Sequence, residues 1–414
     1  MHSSKLFSAV LAVGAASVVS AATTTTAAAS SAASSATCTK DIKITQPTPI
    51  IPCDVVDADI TVDASVAGDL SIEGPKQLKG DLIITNATQL ISISSSTINA
   101  IGGNFELDSL ELLSSVNMQS LKTLNKLNLV KLPQLSNLIF GTTGVTKASS
   151  IQVTDTFLSD LSGLNLNSVD TLTITDNNKL TSFNSDLANI TTLLSVTSNG
   201  NNMEINMTKL QTAAEIQLSN VKSFRAPSLK TITQSLKFDN NPELVTFTAQ
   251  NLTTIANSVT FINNNKLTNV SFPLLTSVGD LTIQNNTALG AVEGFPKLQS
   301  VSGGVILRGN FDSVELPSLK DVEGGVTVYS TTDISAFCGF FDDAKSKQKI
   351  IKGTESCKSN VKAANEGGSD GDSSTSNGSN SNSTSNQPDS SVAALGVNTV
   401  ILGASVLAGM AQLW

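Results

Sequence analysis

The sequence predicts an all-β fold: a right-handed β-solenoid of about twelve stacked coils, closed by a disulfide at each end. Three observations predict it. An apolar-x-apolar strand signature recurs twelve times, starting at Leu82, Phe105, Leu127, Ile151, Leu172, Leu194, Ile216, Leu236, Val259, Leu281, Val305 and Val326, in steps of 20 to 24 residues. Thr, Ser and Asn fill the polar positions, and only 14% of residues are charged. Uncharged side chains can stack on identical neighbours without repulsion. Finally, the 4 cysteines lie outside the repeat, Cys38 and Cys53 before it and Cys338 and Cys357 after it.

One coil shows how the signature works. In Leu236-Lys-Phe238-Asp-Asn240-Asn241-Pro-Glu-Leu244, Leu236 and Phe238 alternate with polar residues and face inwards from a strand. Asn241 ends the strand. Asn177, Asn199, Asn264, Asn286 and Asn310 hold the same position, five residues after their signatures. Asn tolerates left-handed backbone geometry and bonds turn groups, so stacked at one corner these residues would form an amide ladder. An apolar anchor follows at Leu180, Leu244, Leu267 and Leu289. A proline turn such as Phe272-Pro273-x-Leu275-x-x-Val278 closes the coil, recurring at Pro133, Pro227, Pro296 and Pro317. Proline fixes that corner and removes a donor where no ladder bond is wanted. Gly102-Gly103, Gly303-Gly304 and Gly324-Gly325 read as further corners. No helical stripe separates the strands, which favours β-coils without a helical backing.

A length of 414 residues would allow two or three ordinary domains, but the uniform repeat argues for one long one. Residues 1–21 read as a secretory signal peptide: Lys5 precedes an apolar run, and Val19-Ser20-Ala21 offers small residues for cleavage. Residues 22–37 are a Ser/Thr-rich tract without core-forming residues, expected to be disordered. Residues 38–366 are the capped solenoid. Residues 367–391 are a Ser/Asn-rich stalk. Residues 392–414 are apolar and uncharged with no basic residue after them, the pattern of a GPI signal tail that is removed. Asn377-Gly378-Ser379 offers the attachment site at Asn377, with Gly378, Asn380 and Asn382 as alternatives.

An even cysteine count in an exported chain implies disulfides. Twelve coils at about 5 Å each separate the two ends far beyond disulfide reach. The expected bridges are therefore Cys38–Cys53 and Cys338–Cys357, each stapling a cap over an otherwise bare terminal coil.

The LxLxxN pattern followed by a later Leu looks like a leucine-rich repeat that has lost its helices, and it resembles the receptor L-domains. Together with the signal peptide, cysteine caps, Ser/Asn-rich stalk and GPI tail, it makes the whole chain resemble the fungal GPI-anchored cell-wall organisation proteins, which include sporulation-specific wall members. The resemblance implies a surface glycoprotein of the plasma membrane and wall, needed for wall integrity. It carries no catalytic residues. The chain departs from the pattern in its first four coils, where the Asn corner is sparse.

Little chemistry is on offer. The only histidine is His2 and the only tryptophan Trp414, both in segments expected to be removed. That argues against His-based catalysis and His-ligated metal, so no catalytic residue, metal or cofactor is expected. Asp155, Asp176 and Asp239 lie near corresponding corners, and paired carboxylates serve glycoside hydrolysis, but Asp at a turn is usually a turn residue. Net charge is -9 with no basic patch in the sequence, which argues against nucleic acid. Sequons at Asn86, Asn189, Asn206, Asn251, Asn269, Asn285 and Asn382 are candidate N-glycosylation sites. The expected protein is a non-enzymatic GPI-anchored glycoprotein of the outer plasma-membrane face and wall. Its expected partners are wall polysaccharide or wall glycoproteins. The alternatives are an adhesin or receptor for a protein partner and, more remotely, a wall-remodelling enzyme using acidic residues.

Overall fold

The structure, a computed structural model, describes residues 36–365. The segments expected to be the signal peptide, stalk and tail, most of the Ser/Thr tract, and Asn377, Gly378, Asn380 and Asn382 lie outside the described residues. The rest is a parallel β-solenoid of about 13 turns. Its spine is one long parallel ladder. Leu82, Phe105, Leu127, Ile151, Leu172 and Leu194 are Cα partners of one another in succession. The ladder runs on through Ile216, Leu236, Val259, Leu281, Val305 and Val326. All twelve signatures therefore occupy one register.

The ladder also extends past both ends of that series. Ile60 pairs with Leu82, Ile42 with Ile60, and Glu355 with Val326. Ile60-Thr61-Val62 is a full further turn. It is faint in the sequence because it ends in Val and stands among Asp57, Asp59 and Asp63.

Shorter parallel sheets cover the opposite side. One holds Gly68–Ser71, Leu90–Ser95, Ser115–Met118 and Asn137–Phe140, and another Ser182–Asn184, Met203–Asn206 and Val221–Arg225. Between the sides lies a dry core. In the Leu236 coil, Leu236, Phe238, Leu244, Phe247, Leu252 and Ile255 are all buried. Each such side chain contributes roughly 2 kcal/mol of burial, and each meets its equivalents one turn above and below. Phe238 and Phe261 stack at 4.9 Å, and Phe272 and Phe295 at 5.2 Å. The phenylalanines of the coils are buried, except Phe157, which is exposed beneath Lys179.

The strand-ending corner divides its labour between two residues. The left-handed conformation falls four residues after ten of the twelve signatures, not five: at Asn86, Ser109, Lys131, Asp155, Asp176, Ser198, Asn220, Asn240, Asn263 and Asn285. The residue at plus five points inwards, and there the amide ladder forms. Asn241 Nδ2 donates to Asn264 Oδ1 at 2.9 Å, and Asn264 Nδ2 to Asn286 Oδ1 at 3.0 Å. Asn264 and Asn286 also donate to the carbonyls of Phe238 and Phe261. Every polar group freed by the turn thus finds a partner. A second ladder joins Thr156, Asn177 and Asn199. Val221 interrupts the series, and Asn310 stands outside it, donating to Thr287 O. In the earliest coils Ala87, Leu110 and Leu132 fill the buried site. The corner geometry survives there because the left-handed residue, not the asparagine, makes the turn.

The opposite corner carries a stack of carboxylates. Asp59 and Asp81 accept from backbone N–H groups of the next coil, at Asp81 and Asn104. A Cβ at Gly103 would stand 1.9 Å from Asp81 Oδ1, and one at Gly303 2.0 Å from Asp280 Oδ1. Gly303-Gly304 and Gly324-Gly325 fall at bends, as expected, whereas Gly102-Gly103 lies within the strand Ala100–Asp108; at Gly103 and Gly303 the neighbouring carboxylate occupies the space a side chain would take.

Both caps are disulfide-bonded as expected, with Cα–Cα distances of 5.9 Å for Cys38–Cys53 and 5.4 Å for Cys338–Cys357. The strand Thr37–Cys38 pairs with Val55–Val56, so Cys53 is buried under the first turn. The C-terminal cap contains a helix, Ser335–Ser346, which lays Phe341 and Ala344 on the core. Cys338 ties it to the last ladder strand, Glu355–Lys358. Lys345 Nζ donates to the carbonyls of Ile351, Lys352 and Gly353, fixing the return loop. The helix lies beyond the repeat. Its Phe337, Phe341 and Ala344 are the only trace it leaves in the sequence.

Candidate binding surface

The long ladder presents a broad outward face, because residues one and three places after each signature alternate away from the core. From coil to coil these are Gln152 and Thr154, Thr173 and Thr175, Ser195 and Thr197, then Gln217 and Ser219. Thr175 and Thr197 share a hydrogen bond of 2.9 Å across coils. The centre of this face is uncharged and rich in hydroxyls and amides. Such groups hydrogen-bond sugar hydroxyls without the cost of desolvating a charge. Charge gathers elsewhere as ion pairs between neighbouring coils, including Lys79–Asp57, Lys209–Asp186 and Lys266–Glu243. They are exposed and worth about 0–1 kcal/mol each. Near the N-terminal cap, hydrogen bonds from Lys43 and Ser65 hold the Asp63 carboxyl well below the usual carboxylate range.

All the described sequons but one lie off the broad ladder; Asn189 opens the ladder strand Asn189–Thr197. Asn86 and Asn285 sit on the left-handed corner, Asn269 on the opposite sheet, and Asn251 on the proline turn. Asn86, Asn251 and Asn269 are exposed, whereas Asn189, Asn206 and Asn285 are half-buried. Asn189 Oδ1 accepts from Thr212, and Asn285 Nδ2 donates to Asn263. Glycans on the exposed sequons would clothe the corners and leave the broad sheet open.

The three acidic candidates do not form one site. Asp155 and Asp176 lie on adjacent coils, both exposed on the convex corner and both in the left-handed conformation. Asp239 is three coils away and ion-paired to Lys237 at 3.1 Å. The sole tyrosine outside the signal and tail segments, Tyr329, has Arg308 and Lys358 over its ring at 5.0 and 5.2 Å. It is no open platform for a sugar. Among the described residues no cluster of His, Cys, Asp and Glu could hold a metal.

One expectation needs correcting. The sequence shows no basic run, yet the fold assembles a local basic patch. Lys122, Lys126 and Lys147 are exposed on two neighbouring coils and form no ion pair. Their spacing of 4 and 21 residues (126−122, 147−126) conceals them in the linear chain.

Relatives with this organisation are known. A protein named Protein ecm33 from Aspergillus fumigatus is 34% identical over 330 residues, covering 74% of this chain and 76% of its own. The chain belongs to the fungal GPI-anchored cell-wall protein family. A Cell surface GPI-anchored protein of Arthroderma benhamiae is 31% identical, covering 74% of this chain and 78% of its own. The Cell wall mannoprotein PST1 of Saccharomyces cerevisiae is 30% identical, covering 67% of this chain; this chain spans 62% of it. The names of these family members speak of the cell surface, the GPI anchor and the wall, the location expected from the sequence. No protein-family model and no solved structure matches the chain.

Proposed function

We propose that this member of the family is a non-enzymatic, GPI-anchored scaffold that organises the fungal cell wall, and that its broad sheet face engages wall polysaccharide. The observation that carries the reading is the row of hydroxyls and amides that runs from Gln152 and Thr154 to Gln217 and Ser219 across the coils from Ile151 to Ile216. A flat repetitive surface suits a repetitive polymer, since many weak contacts add through avidity where no deep pocket exists. The same face argues against a hydrolase, which needs two carboxylates held around one bond. The disulfide caps and inter-coil amide ladders suit a part that must persist in an oxidising space.

The experiment compares cells lacking the gene with cells carrying the full chain or a chain without Val392–Trp414. The full chain restores growth under wall stress. The truncated chain appears in the medium and fails to restore it. Rescue by the released form would show that anchoring is dispensable. Incubating the purified protein with β-glucan, chitin and mannan is expected to yield no new product by mass spectrometry.

A further inference from the structure

We propose that the patch around Lys122, Lys126 and Lys147 binds a phosphate-bearing polysaccharide, making it an anion-selective site that adjoins the neutral sheet face and shares Gln152 with it. The first support is charge. Between Leu112 and Thr154 the chain holds Lys122, Lys126, Lys131 and Lys147 and no Asp or Glu, although the chain as a whole carries -9. Several lysines on the coils sit beside a carboxylate of the preceding coil, as Lys79 and Lys266 do. Lys122, Lys126 and Lys147 have none. An acidic solenoid elsewhere repels a polyanion, so this belt is where one settles.

The second support is shape. Three shallow grooves follow one another over the same three coils. The first, of about 430 Å³, has Lys122 on its wall with Asn99, Gln119 and Thr143. The next, of about 340 Å³, has Lys147 with Asn125 and Ser149. The third, of about 290 Å³, has Lys126 with Asn128 and Gln152, and one carboxylate, Glu106. Lysine thus alternates with amides and hydroxyls along an open furrow. That pattern fits a sugar chain with intermittent anionic groups. A protein partner would ask for a buried apolar centre, and these grooves offer only short stretches of Ile101 and Leu124.

The third support is the kind of cation. An ammonium is a point charge that suits the three-dimensional phosphate group, whereas a planar carboxylate is matched best by a guanidinium fork. No arginine lies between residues 112 and 154. Lys122 and Lys126 are on one coil, at most about 13 Å apart along the chain. Lys147 stands on the next coil beside Thr123, its ladder partner. The three charges therefore lie within a few sugar lengths of one another. The proposal deepens the wall-binding reading and rests on it.

The test measures retention of the purified full-length glycoprotein on mannan carrying phosphodiester groups, on the same mannan after phosphate removal, and on polygalacturonate. Retention on phosphorylated mannan is expected, and it falls as salt rises. The triple variant Lys122→Glu, Lys126→Glu, Lys147→Glu loses about tenfold or more of that affinity. A control variant, Lys230→Glu, Lys297→Glu, Lys320→Glu, carries the same charge change on exposed positions elsewhere and binds within about twofold of the parent. Thermal unfolding checks that both variants are folded. Equal loss in both variants, or equal retention on dephosphorylated mannan, overturns the proposal. Stronger retention on polygalacturonate overturns it too. Such a failure leaves the wall role untouched, because that role is read from growth under wall stress.

Discussion

Asn264 shows what a single residue does in a stacked structure. Its buried amide accepts from the Asn241 backbone and side chain, and donates to Phe238 O and to Asn286. Replacing it with Ala strands several buried polar groups at once, each costing about 1–3 kcal/mol. Asn264→Ala is expected to lower stability by about 3 kcal/mol or more, measured by denaturant unfolding. Asn310→Ala, on a half-buried side chain outside the ladder, is expected to cost less than about 1 kcal/mol. A similar loss in both would mean that the ladder carries no special weight. The left-handed residue beside it follows different rules. Lys131 and Ser198 hold that conformation although Asn or Asp adopt it more readily. The coil imposes the turn, and the side chain is chosen for other reasons.

At the scale of elements, the coils resemble one another and the caps do not. Each cap combines an extra ladder strand with a disulfide that closes a short loop, with sequence separations of 15 and 19. Loops of that length yield roughly 3 kcal/mol each on the chain-entropy account. The C-terminal cap depends on its bridge more, because the helix Ser335–Ser346 contributes only Phe341 and Ala344 as fully buried residues. Changing Cys338 and Cys357 to Ser together is expected to free the helix and expose the ladder edge of Val326–Ser330. Limited proteolysis should then cut between Ser335 and Lys358 while the coils before Val305 stay resistant. Uniform loss of resistance along the whole chain would refute this local picture.

At the scale of the whole repeat unit, stability is close to a sum of coil and interface terms. Removing one full period, Val259–Asp280, joins Ser258 to Leu281 and leaves the register intact. Asn241 then meets Asn286, and Leu236 meets Leu281. The shortened chain is expected to fold with a moderately lower thermal midpoint and normal export. Removing half a period, Val259–Asn269, leaves the junction coil without a ladder strand to join the coils on either side and is expected to abolish export. Circular dichroism and secretion yield distinguish the two. Equal damage from both deletions would argue against independent coils.

The sequence by itself determined the repeat, its register and its caps. A period near 22 residues with alternating apolar positions leaves each coil one way to bury its face, and the distance between chain ends leaves each cysteine one partner. Tertiary structure decided what depends on neighbours distant along the chain. The turn at Ile60–Val62 became visible only through its pairing with Leu82. The left-handed residue stands in the place before the ladder asparagine, so the turn is made by one residue and the buried amide is supplied by the next. Lys122, Lys126 and Lys147 came together because stacking places residues some 22 apart about 5 Å from one another. A linear charge count averages such neighbours away.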